Sequence, residues 1–242
     1  MSGLSFVIPT LNEGAGLTPL LDDLKDKFPG AERIVVDGGS TDDTVACALR
    51  DADTVLLGAA GRARQMNLGA SVAAGPYVCF LHADTFPAFD DAALLRAMDG
   101  ARWGVCRVHL RGSRRSLRVI AAFMNMRSRL SHVATGDQML IVERSFFHAQ
   151  GGFADIPLME DVEICKRLRR QAPPRVLSLA VSTSGRRWES RGVVSTVVLM
   201  WSLRLAYWLG VSPGRLWRYY YGDGDSGADG EAGASAAKVG AG

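Results

Sequence analysis

Three stretches carry the residues best suited to chemistry. Tyr77-Val78-Cys79-Phe80-Leu81 is a continuous apolar run that ends abruptly in His82-Ala83-Asp84. Such a run is the pattern of a strand buried on both faces, and polar ligands released at its carboxyl end stand where open α/β sheets build their sites. Asp84 is therefore a candidate ligand for a divalent ion, with His82 beside it. Leu4-Ser5-Phe6-Val7-Ile8 runs through Pro9 into Thr10-Leu11-Asn12-Glu13, and Arg33-Ile34-Val35-Val36 runs into Asp37-Gly38-Gly39-Ser40-Thr41-Asp42. Parallel strands would bring these loops to one sheet edge. Carboxylates and amides gathered there need a cation or a polyhydroxy ligand to offset their repulsion. Each group also has a plainer reading. Asp37 and Ser40 could serve a turn and a cap, Arg62 and Arg64 a solvated helix face, and Glu160-Asp161 the N-terminal charge of a helix.

The elements that must position these groups are legible in the spacing. Strands are expected at 4–8, 33–37, 54–57 and 77–81. A helix follows the first, from the apolar stripe Leu17, Leu20, Leu21, Leu24 and Phe28, and another spans 62–74. This alternation predicts an α/β fold with a mostly parallel sheet flanked by helices. Beyond Asp84 the rhythm loosens: helices are expected at 90–98, 116–130 and 160–170, an edge strand at 103–110, and strands at 139–142 and 176–181. Phe123, Met124 and Met126 read as core residues. Residues 192–211 are apolar with one charge, Arg204, and fit a helix on the core or in a membrane interface better than a span. The expected organisation is a domain at 1–190, with halves 1–100 and 101–190, then an apolar or amphipathic helical segment at 191–221 and a disordered tail at 222–242.

Composition narrows the classes. The chain has 242 residues, 48% of them hydrophobic, with a net charge of +3 that does not argue for nucleic acid. Four cysteines form no CxxC pair and read as reduced thiols, which disfavours zinc. The N-terminus enters a strand without a basic or apolar leader, so no export signal is expected and the setting reads as cytoplasmic. Pro9 to Gly14 lacks the G-x-G-x-x-G turn of a dinucleotide site, and no P-loop is present. Position 39 is Gly where an aspartyl phosphatase would carry a second Asp.

Taken in order, Val7-Ile8-Pro9-Thr10-Leu11-Asn12-Glu13, Val35 to Thr44 and Phe80-Leu81-His82-Ala83-Asp84 resemble the nucleotide-binding half of family 2 glycosyltransferases, which have the GT-A fold. Gly151-Gly152-Phe153 and Glu160-Asp161 resemble the acceptor half. The fuller runs Arg62 to Asn67, Ala134 to Gln138 and Ser184 to Glu189 resemble a bacterial subgroup of unassigned substrate. The resemblance implies transfer of a sugar from a nucleotide donor, UDP-linked by expectation, to an acceptor hydroxyl with inversion. It places Pro9, Thr10, Glu13, Asp37 and Ser40 at the nucleotide, with Asp37 on the base and Arg64 near the phosphates. It makes Asp84 the metal-bridging acid, Asp161 the base, and Asp137, Gln138, Glu160, Arg187 and Trp188 part of the donor-sugar or acceptor pocket.

One departure stands out. The first acid of the family's Asp-x-Asp motif is His82 here. Imidazole accommodates manganese, whereas magnesium prefers hard oxygen, so the expected cofactor is a divalent metal, Mn or Mg, with His82 either a ligand or a ribose or phosphate contact. The late arginines and the apolar segment point to a lipid-linked acceptor and peripheral contact at the inner face of a membrane. The alternatives are a non-catalytic nucleotide-sugar-binding protein of the same fold and a sugar nucleotidyltransferase. The latter would ordinarily carry a glycine-rich basic turn after the first strand, which is absent.

Overall fold

The structure, a computed structural model, describes residues 3–112, 116–134, 136–184, 193–222 and 237–239. The chain opens with β1 (Leu4–Thr10), α1 (Gly14–Lys27), β2 (Glu32–Asp37), α2 (Thr44–Asp51), β3 (Thr54–Leu57), α3 (Arg62–Val72) and β4 (Tyr77–Phe80). β2 and β4 flank β1, and β3 flanks β2, all in parallel. Hydrophobic residues on consecutive positions of β1 explain the central place of that strand. Phe6 and Ile8 face one helical layer and Val7 the other, and all three are fully buried.

The second half contributes β5 (Thr85–Pro87), α4 (Asp91–Met98), β6 (Trp103–Arg111), α5 (Ser116–Ser131), β7 (Leu140–Glu143), α6 (Arg144–Ala149), α7 (Glu160–Gln171) and β8 (Arg175–Ser184). The sheet order is β5-β8-β6-β7-β4-β1-β2-β3, extended at the β3 edge by β9 (Ala237–Val239). β9 falls within the tail expected to be disordered, where it pairs antiparallel with β3; the rest of 223–242 lies outside the described residues. The segment 103–110 is not the edge strand its sequence led us to expect. It lies inside the sheet, antiparallel to β7 and parallel to β8, because the later chain returns to cover it.

α1, Phe28, α2 and α4 pack on one face of the sheet, and α3, α6 and α7 on the other. α3 approaches β1 closely at Gly69, where an added Cβ would stand 2.4 Å from Val7 Cγ1. α5 docks on β6 through Leu117, Ile120, Ala121 and Met124. The Asn125 amide also exchanges two hydrogen bonds with the Val108 backbone, each 2.9 Å. Met124 is therefore core as expected, but Phe123 and Met126 are 59% and 50% exposed, because the helical turn carries them to the opposite face.

The apolar helix expected at 192–211 is α8 (Val193–Trp208), and a second helix, α9 (Pro213–Tyr221), follows it after Gly210 with φ 92°. Leu203 of α8 and Leu216 of α9 pack on Met159 and Val162 of the main domain. Trp103 anchors the β6 side: it is fully buried, and its indole N–H donates to the Ala172 carbonyl at 2.9 Å. A Trp103→Phe chain should lose about 1–3 kcal/mol from the orphaned carbonyl alone, with lost packing adding to it, measured by urea unfolding.

Candidate active site

The carboxyl ends of β1 and β4 border a cleft of about 1090 Å³. Pro9, Thr10 and Glu13 line one wall, His82 and Asp84 the floor, and Arg62, Arg64 and Gln65 of α3 a second wall. Asp137 and Glu160 face it from the second half, and Arg215, Trp217, Arg218 and Tyr221 of α9 close the far side.

α3 holds this frame together. The Gln65 amide donates to the Thr10 and Val36 carbonyls, both at 2.8 Å, and so ties the ends of β1 and β2. Two residues on, the Asn67 amide makes paired 2.8 Å hydrogen bonds with the Phe153 backbone and fixes the Gly151-Gly152-Phe153 turn. Arg64 Nε reaches Asp155 at 2.8 Å across the cleft margin. Arg167 donates to the Gly152 carbonyl at 2.6 Å and pairs with Glu163, so α7 grips the same turn from behind. Phe80, Phe147 and Phe153 pack ring on ring beneath the turn, with centroids 4.9–5.5 Å apart.

Asp84 is oriented from β5 and β8. Its Oδ1 accepts from Thr85 Oγ1 at 3.1 Å and from Thr183 Oγ1 at 3.2 Å, and its carbonyl accepts from Arg111 at 2.9 Å. No hydrogen bond to Oδ2 from the described residues is present, which leaves that oxygen for the cleft. No cluster of three His, Cys, Asp or Glu that could hold a metal exists among the described residues. One carboxylate and a neighbouring imidazole fit a cation that draws its other ligands from a diphosphate and water.

Asp161 lies behind this floor. It lines a smaller pocket that shares His82 and Glu160 with the main cleft. Gly136 separates the two groups. Its N–H donates to Asp161 Oδ2 at 3.0 Å, and a Cβ there would stand 2.4 Å from the His82 ring. Asp84 and Asp161 thus border adjoining cavities.

Other expected residues fall elsewhere. Asp37 is 1% exposed and does not line the cleft. Its carboxylate accepts from the Gly39 and Ser40 amides at 2.9 and 2.8 Å, from Ser40 Oγ, and from Thr10 Oγ1 at 3.3 Å. It therefore orients Thr10, which does line the cleft, rather than presenting its own charge there. Ser40 is taken up by Asp37 and by the Asn12 amide, 2.8 Å away. Gln138 is buried between Ser128 Oγ and the Cys106 carbonyl and ties α5 to β6. Arg187 and Trp188 lie outside the described residues. Sequence reasoning missed the roles of Gln65 and Asn67 and the whole contribution of α9. The first two sit in a stretch already singled out at 62–67, but their partners are long-range carbonyls that no local pattern announces.

The electrostatics balance acids against arginines. Glu160 is buried, and burial together with the charge of Asp161 pushes its carboxyl up to about 7, against the pull of Arg62. Arg62 reaches into the cleft. Desolvation opposes its charge, but Glu160, Tyr221, Asp137 and Asp161 outweigh that and hold it above the ordinary guanidinium value. Arg127 of α5 is pushed down to about 10 by burial and by Arg204 of α8, and Arg204 is lowered by burial. Asp161 and Asp137 act against both shifts. Arginines from three helices therefore offset the acidic group at the start of α7.

These features define a GT-A architecture: a sheet whose strands end in Thr10 and the His82-Ala83-Asp84 stretch, facing an acidic helix start. The model of glycosyl transferase family 2 matches residues 5–131, and the chain belongs to that family. Among solved structures, the chain is similar to the TarS protein of S. aureus, at 19% identity over 76% of this chain and 37% of that one, with a TM-score of 0.57. It is similar to the mannosyltransferase PcManGT of Pyrobaculum calidifontis, solved with GDP-Man and Mn2+, at 18% identity over 85% and 61% of the two chains, TM-score 0.59. It also resembles the glucosyl-3-phosphoglycerate synthase of Mycobacterium tuberculosis, solved with Mn2+ and UDP, at 19% identity over 76% and 70%, TM-score 0.53. No curated protein matches.

The Glu160 shift has a consequence for stability. A carboxyl raised in the folded state binds more protons folded than unfolded, so its unfavourable contribution grows as pH rises from 4.5 to about 7. A Glu160→Gln chain should match the parent at pH 4 and exceed it at pH 8, by on the order of 1–3 kcal/mol, in urea melts at the two values.

Proposed function

We propose that the protein moves a sugar from a nucleoside diphosphate donor, UDP-linked in the first instance, to an acceptor hydroxyl with inversion. The observation that carries this reading is the shared rim, with Asp84 and His82 at the end of β4 opposite Glu160 and Asp137 across one cleft. Pro9, Thr10 and Glu13 would border the nucleoside. Asp84, with His82, would hold Mn or Mg against the diphosphate. The metal would supply Lewis-acid stabilisation of the charge on the departing diphosphate. Arg62 and the α9 arginines, Arg215 and Arg218, would add fixed positive charge near the same oxygens. The sugar carbon acquires oxocarbenium character as the bond breaks, and a carboxylate takes the acceptor proton.

Asp161 is the base on the family pattern. Its carboxylate is held by the Gly136 and Val162 amides at the start of α7. A second reading gives the proton to Glu160, which lines the open cleft while Asp161 faces the smaller pocket. The proposed setting is cytoplasmic, with a lipid-linked hydroxyl as the acceptor class. The cleft also accounts for a non-catalytic nucleotide-sugar binder or a nucleotidyltransferase, and kinetics separate the three.

The test is UDP release from UDP-sugars with manganese, beside calorimetric UDP binding. Asp84→Asn should lower metal-dependent UDP affinity at least roughly tenfold. Asp161→Asn should cut turnover by roughly a hundredfold or more with UDP binding kept. If Glu160→Gln does that and Asp161→Asn does not, Glu160 is the base. Binding without turnover by the parent chain, or exchange of pyrophosphate, would overturn the transferase reading.

A further inference from the structure

α8 carries large apolar residues on two sides, and among the described residues one of these sides packs on the domain. Thr196, Leu199, Met200, Leu203 and Ala206 face the domain, and Thr196 and Met200 also line the cleft. The opposite side carries Val198, Trp201, Leu205 and Trp208, with Leu209 just beyond, at 57–74% exposure. The outward face of α5 repeats the pattern with Val119, Phe123, Met126 and Leu130, at 50–77% exposure. The two helices are neighbours: Arg127 and Arg204 feel each other's charge, and Val133, just past α5, packs in the same cluster as Leu199 and Leu203. Eight large exposed side chains on two neighbouring helices exceed the scattered exposure that needs no explanation.

The charge around these faces is one-sided. α5 contains Arg118, Arg127 and Arg129, the first and last on its exposed side, and no Asp or Glu. Residues 190–222 likewise contain arginines and no acid. A second copy of the chain docked through the same face would set arginine against arginine in an isologous interface. An anionic bilayer neutralises that charge, and tryptophans at a helix surface suit the boundary between headgroups and acyl chains. α8 has 16 residues, about 24 Å at 1.5 Å each, short of a hydrocarbon core of about 30 Å, and no described helix is long and apolar enough to cross a membrane.

We infer that the exposed faces of α8 and α5 form one docking surface for an anionic lipid bilayer, on which the protein lies without spanning. Because the inner side of α8 lines the cleft, docking holds the cleft beside the lipid surface, where a lipid-linked hydroxyl can enter. The docking itself stands independently of the transfer reading, so a failure of one leaves the other intact.

Flotation of the full chain with vesicles tests it. Phosphatidylcholine containing about one third phosphatidylglycerol should carry the protein up, phosphatidylcholine alone should do so far less, and salt should weaken the binding. Trp201→Glu with Leu205→Glu should cut binding at least roughly tenfold. Phe123→Glu with Met126→Glu on α5 should do the same, and it serves as the test if the first variant does not fold. Protein left unbound with anionic vesicles, equal binding to both vesicle types, or undiminished binding by folded variants would overturn the inference. So would light scattering that shows a dimer without lipid, reduced to one copy by the α8 variant, with no vesicle binding.

Discussion

The parallel pairing of β1 with β2 and β4 is the constraint on which everything else depends. It sets Thr10 beside Asp37 and Val7 beside Phe80, so the His82-Ala83-Asp84 stretch leaves β4 at the same end of the sheet. A sheet edge alone would leave three loops free to diverge. They do not diverge, because Gln65 bridges the Thr10 carbonyl at the end of β1 and the Val36 carbonyl near the end of β2, and Gly69 lets α3 approach close enough for it to do so. A buried amide bridging two strand ends is costly to break, since its own N–H groups would be left without acceptors. Asn67, on the same helix, extends the frame to the Gly-Gly-Phe turn that precedes α7. One helix thereby fixes both halves of the site.

The second organising feature is charge balance. Glu160 sits in partly buried space beside Asp161, and burial together with that neighbouring charge raises its carboxyl. Arg62, Arg127 and Arg204 answer from three helices. Burial in turn lowers the pKa of Arg127 and Arg204, so each sign is kept ionised in part by the other. A bound diphosphate and its cation would enter a site whose own charges already nearly cancel. That suits a reaction in which negative charge grows at a leaving group without needing large rearrangement of the protein.

Much of this was legible before the structure. The apolar runs ending in Thr10, Asp37 and Asp84 announce strands buried on both faces, and helix spacing between them forces crossovers and a common edge. What was not legible depended on contacts distant along the chain. The strand at 103–111 looks like an edge because polar residues alternate late in it, yet β8 covers it from seventy residues away. Asp37 carries the right residue type at the right position, but its own turn absorbs its oxygens. Phe123 and Met126 read as core from hydrophobicity alone, although helical phase turns them outward. A second helix follows the apolar one after Gly210 and closes the cleft, a role that composition does not reveal.

The most direct test is crystallographic: soak the protein with UDP and Mn2+ and locate the metal from its anomalous scattering. The expected peak lies at bonding distance from Asp84 Oδ2, with the uridine along Pro9 and Thr10 and the diphosphate pointing toward Glu160. A manganese peak away from Asp84, or a nucleotide seated in a cavity that β1 and β4 do not border, would contradict the account.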